Sequence, residues 1–187
     1  MTVTDVNVVK SAIFERPDDA NKGTLGSLLC VCGSYGMAGA AVMSAKGALR
    51  TGIGLAKCAL PRSIYPIVAQ TILESVYYPL SENADGRISK VNVPFLVSES
   101  CKSSATLVGC GLGVCDDTLK IVFSFIENST TPLVLDADAL NCVAKQPEIL
   151  LRKKAPIIIT PHPGEMSRLT GLSLIHISEP TRHLRIS

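Results

Sequence analysis

The sequence predicts an α/β domain built on a mainly parallel central sheet with helices on both faces. Three observations carry that expectation. Short apolar runs recur along the chain, and most are nearly continuous rather than alternating, as in strands covered on both sides. Stretches with helical character lie between them, which is the order of strand–helix–strand units. Four of the runs end at once in glycine, acid, amide or histidine, at the carboxyl ends of strands where open α/β sheets hold their ligands.

Taken in order, SLLCVC (27–32) is the first expected strand. AGAAVMSAKGALRTG (38–52) is a small-residue helix with Ala41, Ala45, Ala48 and Leu49 on one face. IGLAKCAL (53–60) and LESVYYPL (73–80) are strands, and SENADGRISK (81–90) is a polar excursion. ATLVG (105–109) is a strand leading to DDTLKIVFSFIEN (116–128), a helix with acids at its start and apolar residues at Leu119, Val122, Phe123 and Ile126. TPLVLD (131–136) and APIIIT (155–160) complete the strands, and Arg152, Lys153 and Lys154 read as a solvated helix end. Crossovers between parallel strands are expected to be right-handed.

A chain of 187 residues suggests one domain, and 47% hydrophobic against 18% charged residues is a globular composition. A formal net charge of +2 is too small to imply nucleic acid or an acidic surface as partner. The seven cysteines are odd in number and form no CxxC pair. They read as buried, reduced thiols of a cytoplasmic protein, and zinc would need a tighter ligand set. The N-terminus has no secretory pattern, and no apolar run is long enough to cross a bilayer.

The residues at the strand ends carry the chemistry. GSYGMAGA (33–40) places Gly33, Gly36 and Gly39 before a helix that starts with small residues, so a flat ligand or a phosphate can approach the backbone closely. A tight turn made for packing alone is the plain alternative. GCGLG (109–113) is a second glycine-rich turn that imitates the dinucleotide fingerprint GxGxxG with its third glycine one position early. DADALN (136–141) places Asp136, Asp138 and Asn141 at a strand end that opens a helix. Asp138 reads as an N-cap, and Asp136 as a group for a hydroxyl or a hydrated cation. In PHPGE (161–165) two prolines restrict the backbone around His162, which makes it a ligand-contact candidate.

Together KGTLGSLLCVCGSYGMAGAAVMSAKGALRTGIGL (22–55), VGCGLG (108–113), LDADALN (135–141) and ITPHPGEMSRLTG (159–171) resemble the ADP-dependent (S)-NAD(P)H-hydrate dehydratases, a family of ribokinase-like α/β folds. Two departures are mild: the family usually has proline where Cys110 stands, and histidine where Asn21 precedes Lys22 and Gly23. The resemblance implies a hydro-lyase that repairs hydrated NADH or NADPH. A nucleotide, ADP or ATP, with Mg2+ would phosphorylate the added hydroxyl of the S epimer, and loss of phosphate would restore the cofactor. By position, Ala40, Gly109 and His162 would contact the hydrated dinucleotide. Gly33, Gly36, Gly111, Asp136 and Asn141 would lie near the nucleotide and its phosphates. An epimerase, as an upstream domain or a separate protein, and a homo-oligomer are further expectations. A non-catalytic dinucleotide-binding module and another ribokinase-like small-molecule kinase, such as one acting on a hydroxymethyl-bearing vitamin precursor, are the alternatives.

In that family a GxGD turn with the catalytic aspartate follows the fourth block, and no GxGD occurs in this sequence. LSLIHISEPTRHLRIS (172–187) follows instead and resembles the conceptual translation of a sequencing adapter. The expectation is therefore a dehydratase portion over 1–171, inactive as written, and a non-native tail over 172–187, with His176 and His183 outside any site. A sheet cut partway is expected to leave an aggregation-prone edge.

Overall fold

The computed structural model describes residues 23–173. The expectations for Asn21, for the true N-terminus and for all but the first residues of the tail lie outside the described residues.

Six parallel strands, β1 (Ser27–Val31), β2 (Leu55–Pro61), β3 (Val76–Leu80), β4 (Ala105–Val108), β5 (Leu133–Leu135) and β6 (Ile157–Ile159), form one sheet in the order β3-β2-β1-β4-β5-β6. Six helices join them: α1 (Ala38–Arg50), α2 (Tyr65–Thr71), α3 (Val93–Cys101), α4 (Asp116–Asn128), α5 (Asp138–Val143) and α6 (Pro163–Thr170). Short 3-10 turns occupy Lys90–Asn92 and Pro147–Arg152.

The chain winds outward from β1 through α1 and α2, then returns to lay β4 against the free side of β1. From there it winds the other way. Two cores result, one on each face of the sheet. The first packs Ala41 and Ala45 of α1 and Ile64, Val68 and Ile72 around α2 against Cys30, Cys58 and Leu60. Alanines at this contact let the helix come close to the strands. The second packs Ile121, Val122, Phe125 and Ile126 of α4 and Ala139, Leu140 and Val143 of α5 against Leu29, Val31, Val108, Leu133 and Leu135. Phe125 is fully buried, and removal of such a side chain from water contributes about 2–3 kcal/mol.

The expected strands are all present but shorter. LESVYYPL pairs only from Val76, because Leu73 is 83% exposed in the turn before it. Pro79 is tolerated because β3 is an edge strand of the sheet. TPLVLD pairs only over Leu133–Leu135. Helix α4 spans the predicted residues, although Ile121 and Phe125 are its buried centre while Leu119 and Phe123 are half-buried. The basic run Arg152–Lys154 is exposed, with Arg152 paired to Glu127 at 3.0 Å. At the other edge of the described sheet, Ile158 and Ile159 of β6 are exposed. Among the described residues no helix is long and apolar enough to cross a membrane. Cys30, Cys32, Cys58 and Cys142 are buried, Cys110 and Cys115 half-buried and Cys101 exposed, all unpaired.

Candidate functional site

The strand order reverses between β1 and β4. The loops leaving these two strands diverge to opposite faces, so a crevice opens above their carboxyl ends. The sequence places its two glycine turns, GSYGMAGA and GCGLG, at this point.

The two turns are bound to each other. The Gly33 N–H donates to the Cys110 carbonyl at 2.8 Å, and the buried Ser34 hydroxyl donates to the Gly111 carbonyl at 2.8 Å. Gly111 has φ +69, and a Cβ on it would come within 2.7 Å of the Ala40 Cβ. Ala40 and Gly111 are therefore small because the turns lie on one another. The approach is closer still at Gly109, where φ is +128 and an added Cβ would sit 1.8 Å from the Asp136 carbonyl oxygen. Gly36 and Gly39 differ. Among the described residues nothing lies within 4 Å of the Cβ each would carry, so these two form the open floor of the crevice.

Electrostatics separates the two helices that begin here. The N-cap of α1, Met37, makes no side-chain cap bond, and the first turn holds no acid. The Met37 and Ala40 N–H groups already donate to the Ser34 and Met37 carbonyls, while the positive dipole end is open to an anion. Helix α4 carries Asp116 and Asp117 in its first turn, which already compensate its dipole. A phosphate at this rim thus belongs over α1, while Gly111 is buried beneath Ala40.

Asp136 is the polar junction of the rim. Its Oδ1 accepts the Thr160 hydroxyl at 2.7 Å and its Oδ2 the Cys110 thiol at 3.3 Å, which ties the ends of β5, β6 and β4 together. The next residue, Ala137, has φ 48 and ψ −114, a conformation costing about 1–3 kcal/mol and characteristic of functional sites. The expected N-cap role of Asp138 is corrected here. Ala137 is the N-cap of α5, and Asp138 instead accepts the Gly113 N–H at 2.8 Å. Asn141 donates to Asp138 at 3.4 Å.

His162 ends the β6 loop as the N-cap of α6. Its Nδ1 accepts the Gly164 N–H at 3.1 Å, and the buried Glu165 accepts the His162 N–H at 3.0 Å and approaches Nε2 at 3.2 Å. The capping box holds the imidazole in one orientation with its side chain 61% exposed. The fixed His162 results from this cap as much as from the flanking prolines.

Arg87 was not singled out from the sequence. The excursion after β3 folds over the rim, with the Tyr35 N–H donating to the Gly86 carbonyl at 2.8 Å and Asn83 bonding Asp117 at 2.9 Å. Arg87 then lies on Gly113, where an added Cβ would meet its Nε at 2.5 Å, and it reaches the Val114 carbonyl at 3.4 Å. A lone arginine in a polar loop gives no sequence signal for this placement. Beside it, Tyr35, Ser63, Glu82, Asn83 and Asp85 line an open cavity of about 470 Å³.

Among the described residues no three metal-ligating side chains cluster. The half-buried Asp136 fits a magnesium ion shared with phosphates, which needs one or two carboxylates, and not a cage made by protein alone.

The open glycine floor is testable by itself. Gly39→Ala is expected to raise stability by about 0.5–1 kcal/mol, since alanine is the better helix former. It is also expected to weaken dinucleotide binding, because the methyl enters the crevice. Urea unfolding and a binding titration read the two effects, and unchanged binding would remove Gly39 from the site.

The family profile described as NAD(P)H-hydrate dehydratase matches residues 28–185. A bifunctional NAD(P)H-hydrate repair enzyme of Thermofilum pendens is 37% identical over 159 residues, covering 85% of this chain and 30% of the relative. The crystal structure of the ADP/ATP-dependent NAD(P)H-hydrate dehydratase of Bacillus subtilis, co-crystallised with ATP and Mg2+, matches with TM-score 0.71 and 27% identity over 91% of this chain and 56% of that one. A ribokinase-like superfamily protein of Enterococcus faecalis, 20% identical, has the same fold with TM-score 0.73 over 87% of this chain and 54% of its own. The chain thus spans from 30% to 56% of the length of these relatives. With its parallel sheet, its paired glycine turns and a family match over most of its length, the chain belongs to the NAD(P)H-hydrate dehydratase family.

Proposed function

We propose that this chain forms the substrate-binding portion of an enzyme that dehydrates the S epimer of hydrated NADH or NADPH at the expense of ADP or ATP. The observation that carries the reading is the crevice at the β1–β4 reversal. There a closed pair of glycine turns leaves Gly36, Gly39 and the α1 N-terminus open. The dinucleotide phosphates would lie over α1 with Arg87 nearby. The neighbouring cavity, with Glu82 and Asp85, suits hydroxyls and amides better than phosphates. Ala40 leaves room for the ligand, and Asp136 would hold a magnesium ion. When bound, it would supply neutralisation of phosphate charge; the chain's own part is to bind and orient.

Phosphoryl transfer to the added hydroxyl needs a base, and the GxGD aspartate expected for that role does not occur in the 187 residues. We assign binding to residues 1–171 and turnover to a protein that also carries the relatives' following segment. The unpaired thiols fit a cytoplasmic protein. An epimerase partner and self-assembly of the extended protein belong to the same proposal.

Incubating an extended protein with hydrated NADH, ADP and Mg2+ should restore the near-ultraviolet absorbance of the reduced nicotinamide. Binding without turnover in that protein would favour a non-catalytic dinucleotide module, and turnover of a hydroxymethyl substrate alone would favour another kinase. His162 is separable from its cap. His162→Asn keeps a good N-cap acceptor, so stability should change by less than about 1 kcal/mol. Affinity for the hydrated dinucleotide should fall severalfold in a fluorescence titration; equal affinity would reduce His162 to its capping role.

A further inference from the structure

We propose that the cavity beyond the ends of β1, β2 and β3 takes the adenosine half of the dinucleotide, and that Glu82 and Asp85 there make the chain prefer hydrated NADH to hydrated NADPH. This deepens the dinucleotide reading above and rests on it.

Topology assigns the two halves of the ligand. The rim from β3 to β6 crosses five strand gaps of about 4.8 Å each, so its two ends meet different parts of a long ligand. The hydroxyl added to the nicotinamide ring is the group that reacts. The polar groups Asp136, Thr160 and His162 stand at and just beyond the ends of β5 and β6. The glycine floor and the α1 N-terminus lie at the reversal between β1 and β4. With the phosphates there and the nicotinamide beyond β4, the adenosine falls on the other side. Tyr35, Ser63 and Glu82 follow β1, β2 and β3 on that side and line one cavity of about 470 Å³.

The chain itself fixes the shape of this cavity. Glu82 forms an antiparallel bridge with Ile88, which is buried. The Asn83 side chain accepts the Asp85 and Arg87 N–H groups at 3.1 Å and holds the turn between them. Tyr35 is tied through its backbone to Gly86, where an added Cβ would overlap the Tyr35 Cβ. Tyr35 is nonetheless 74% exposed. A ring fixed at its base and open on its face is a stacking surface for a base.

Charge decides which adenosine fits. Glu82 Oε2 accepts the Ser63 hydroxyl at 2.6 Å, a neutral partner. Asp85 approaches Arg87 at 3.8 Å, but Arg87 is also drawn onto Gly113 and the Val114 carbonyl. Among the described residues no lysine or arginine lines the cavity. A carboxylate beside a ribose accepts its 2′-hydroxyl and repels a phosphate at that position. Hydrated NADPH carries this phosphate, at about −1.5 to −2 charges, and hydrated NADH the hydroxyl. Both carboxylates are exposed, so salt screens the repulsion, which amounts to a severalfold preference rather than exclusion.

The test is a calorimetric titration of the chain, folded by circular dichroism, with the S epimers of hydrated NADH and hydrated NADPH. At low salt hydrated NADH should bind roughly fivefold more tightly, and the ratio should shrink as salt is raised. Glu82→Gln should bring the ratio towards one, mainly by strengthening hydrated NADPH. Tyr35→Ala should weaken both ligands alike, and Tyr35→Phe should restore them. Equal affinities, tighter binding of hydrated NADPH, or a ratio that Glu82→Gln leaves unchanged would overturn the inference and leave the dinucleotide reading intact. Binding of neither ligand would overturn that reading and the inference with it.

Discussion

Gly109→Ala is expected to destabilise the fold by roughly 3 kcal/mol or more, enough to consume much of the stability of an ordinary domain. Two independent costs add. Alanine at φ +128 is strained, at about 1–3 kcal/mol. Its methyl would also occupy the position 1.8 Å from the Asp136 carbonyl oxygen and 2.8 Å from the Ala139 Cβ, so the β5–α5 turn must move, at a further 1–3 kcal/mol or so. Gly36→Ala is the matched control. Gly36 also has positive φ, +81, but open space around it, so it should pay only the conformational cost of about 1–2 kcal/mol. Urea midpoints of the two variants measure the difference. Equal losses would mean that the tight contact between the β4 and β5 turns does not hold the rim together.

Ala40→Leu is expected to weaken binding of the hydrated dinucleotide by at least tenfold, about 1.4 kcal/mol. The Ala40 Cβ already fills the gap above Gly111. Three further carbons have nowhere to go but the crevice or the turn, and part of their cost, about 1–3 kcal/mol, will appear as lost stability. Ala40→Ser separates the two effects, because it adds one atom and should bind nearly as well as the parent chain. A titration with hydrated NADH, made where both variants are folded by circular dichroism, decides the matter. Undiminished binding by Ala40→Leu would place the ligand elsewhere on the rim. With Gly39→Ala, this pair asks whether the glycine turn exists for packing or for a ligand. The structure already divides the turn: Gly33 and Gly111 are closed by neighbours, whereas Gly36 and Gly39 are open.

The sequence alone was sufficient for the α/β class and the strand positions to within a few residues, and it set the candidate residues on one rim of the sheet. Strands covered on both faces read as continuous apolar runs, and a parallel sheet carries all their carboxyl ends to one side. Apolar patterning and the residue that breaks it are local properties, so Gly33, Gly109, Asp136 and His162 could be identified in order along the chain. The helix N-termini were legible as well, since Asp116 and Asp117 announce a compensated dipole and GSYGMAGA an open one.

Only the tertiary structure decided which of these groups meet. Asp136 accepts from Thr160 and Cys110 on two other strands, Asp138 leaves its own helix end for the Gly113 amide, and Arg87 crosses from the excursion to lie on Gly113. Such contacts join residues dozens of positions apart, and no pattern within a short window specifies the partner. The physical reason is that a strand end fixes where a side chain starts, whereas the strand order and the close packing of the turns fix what it touches.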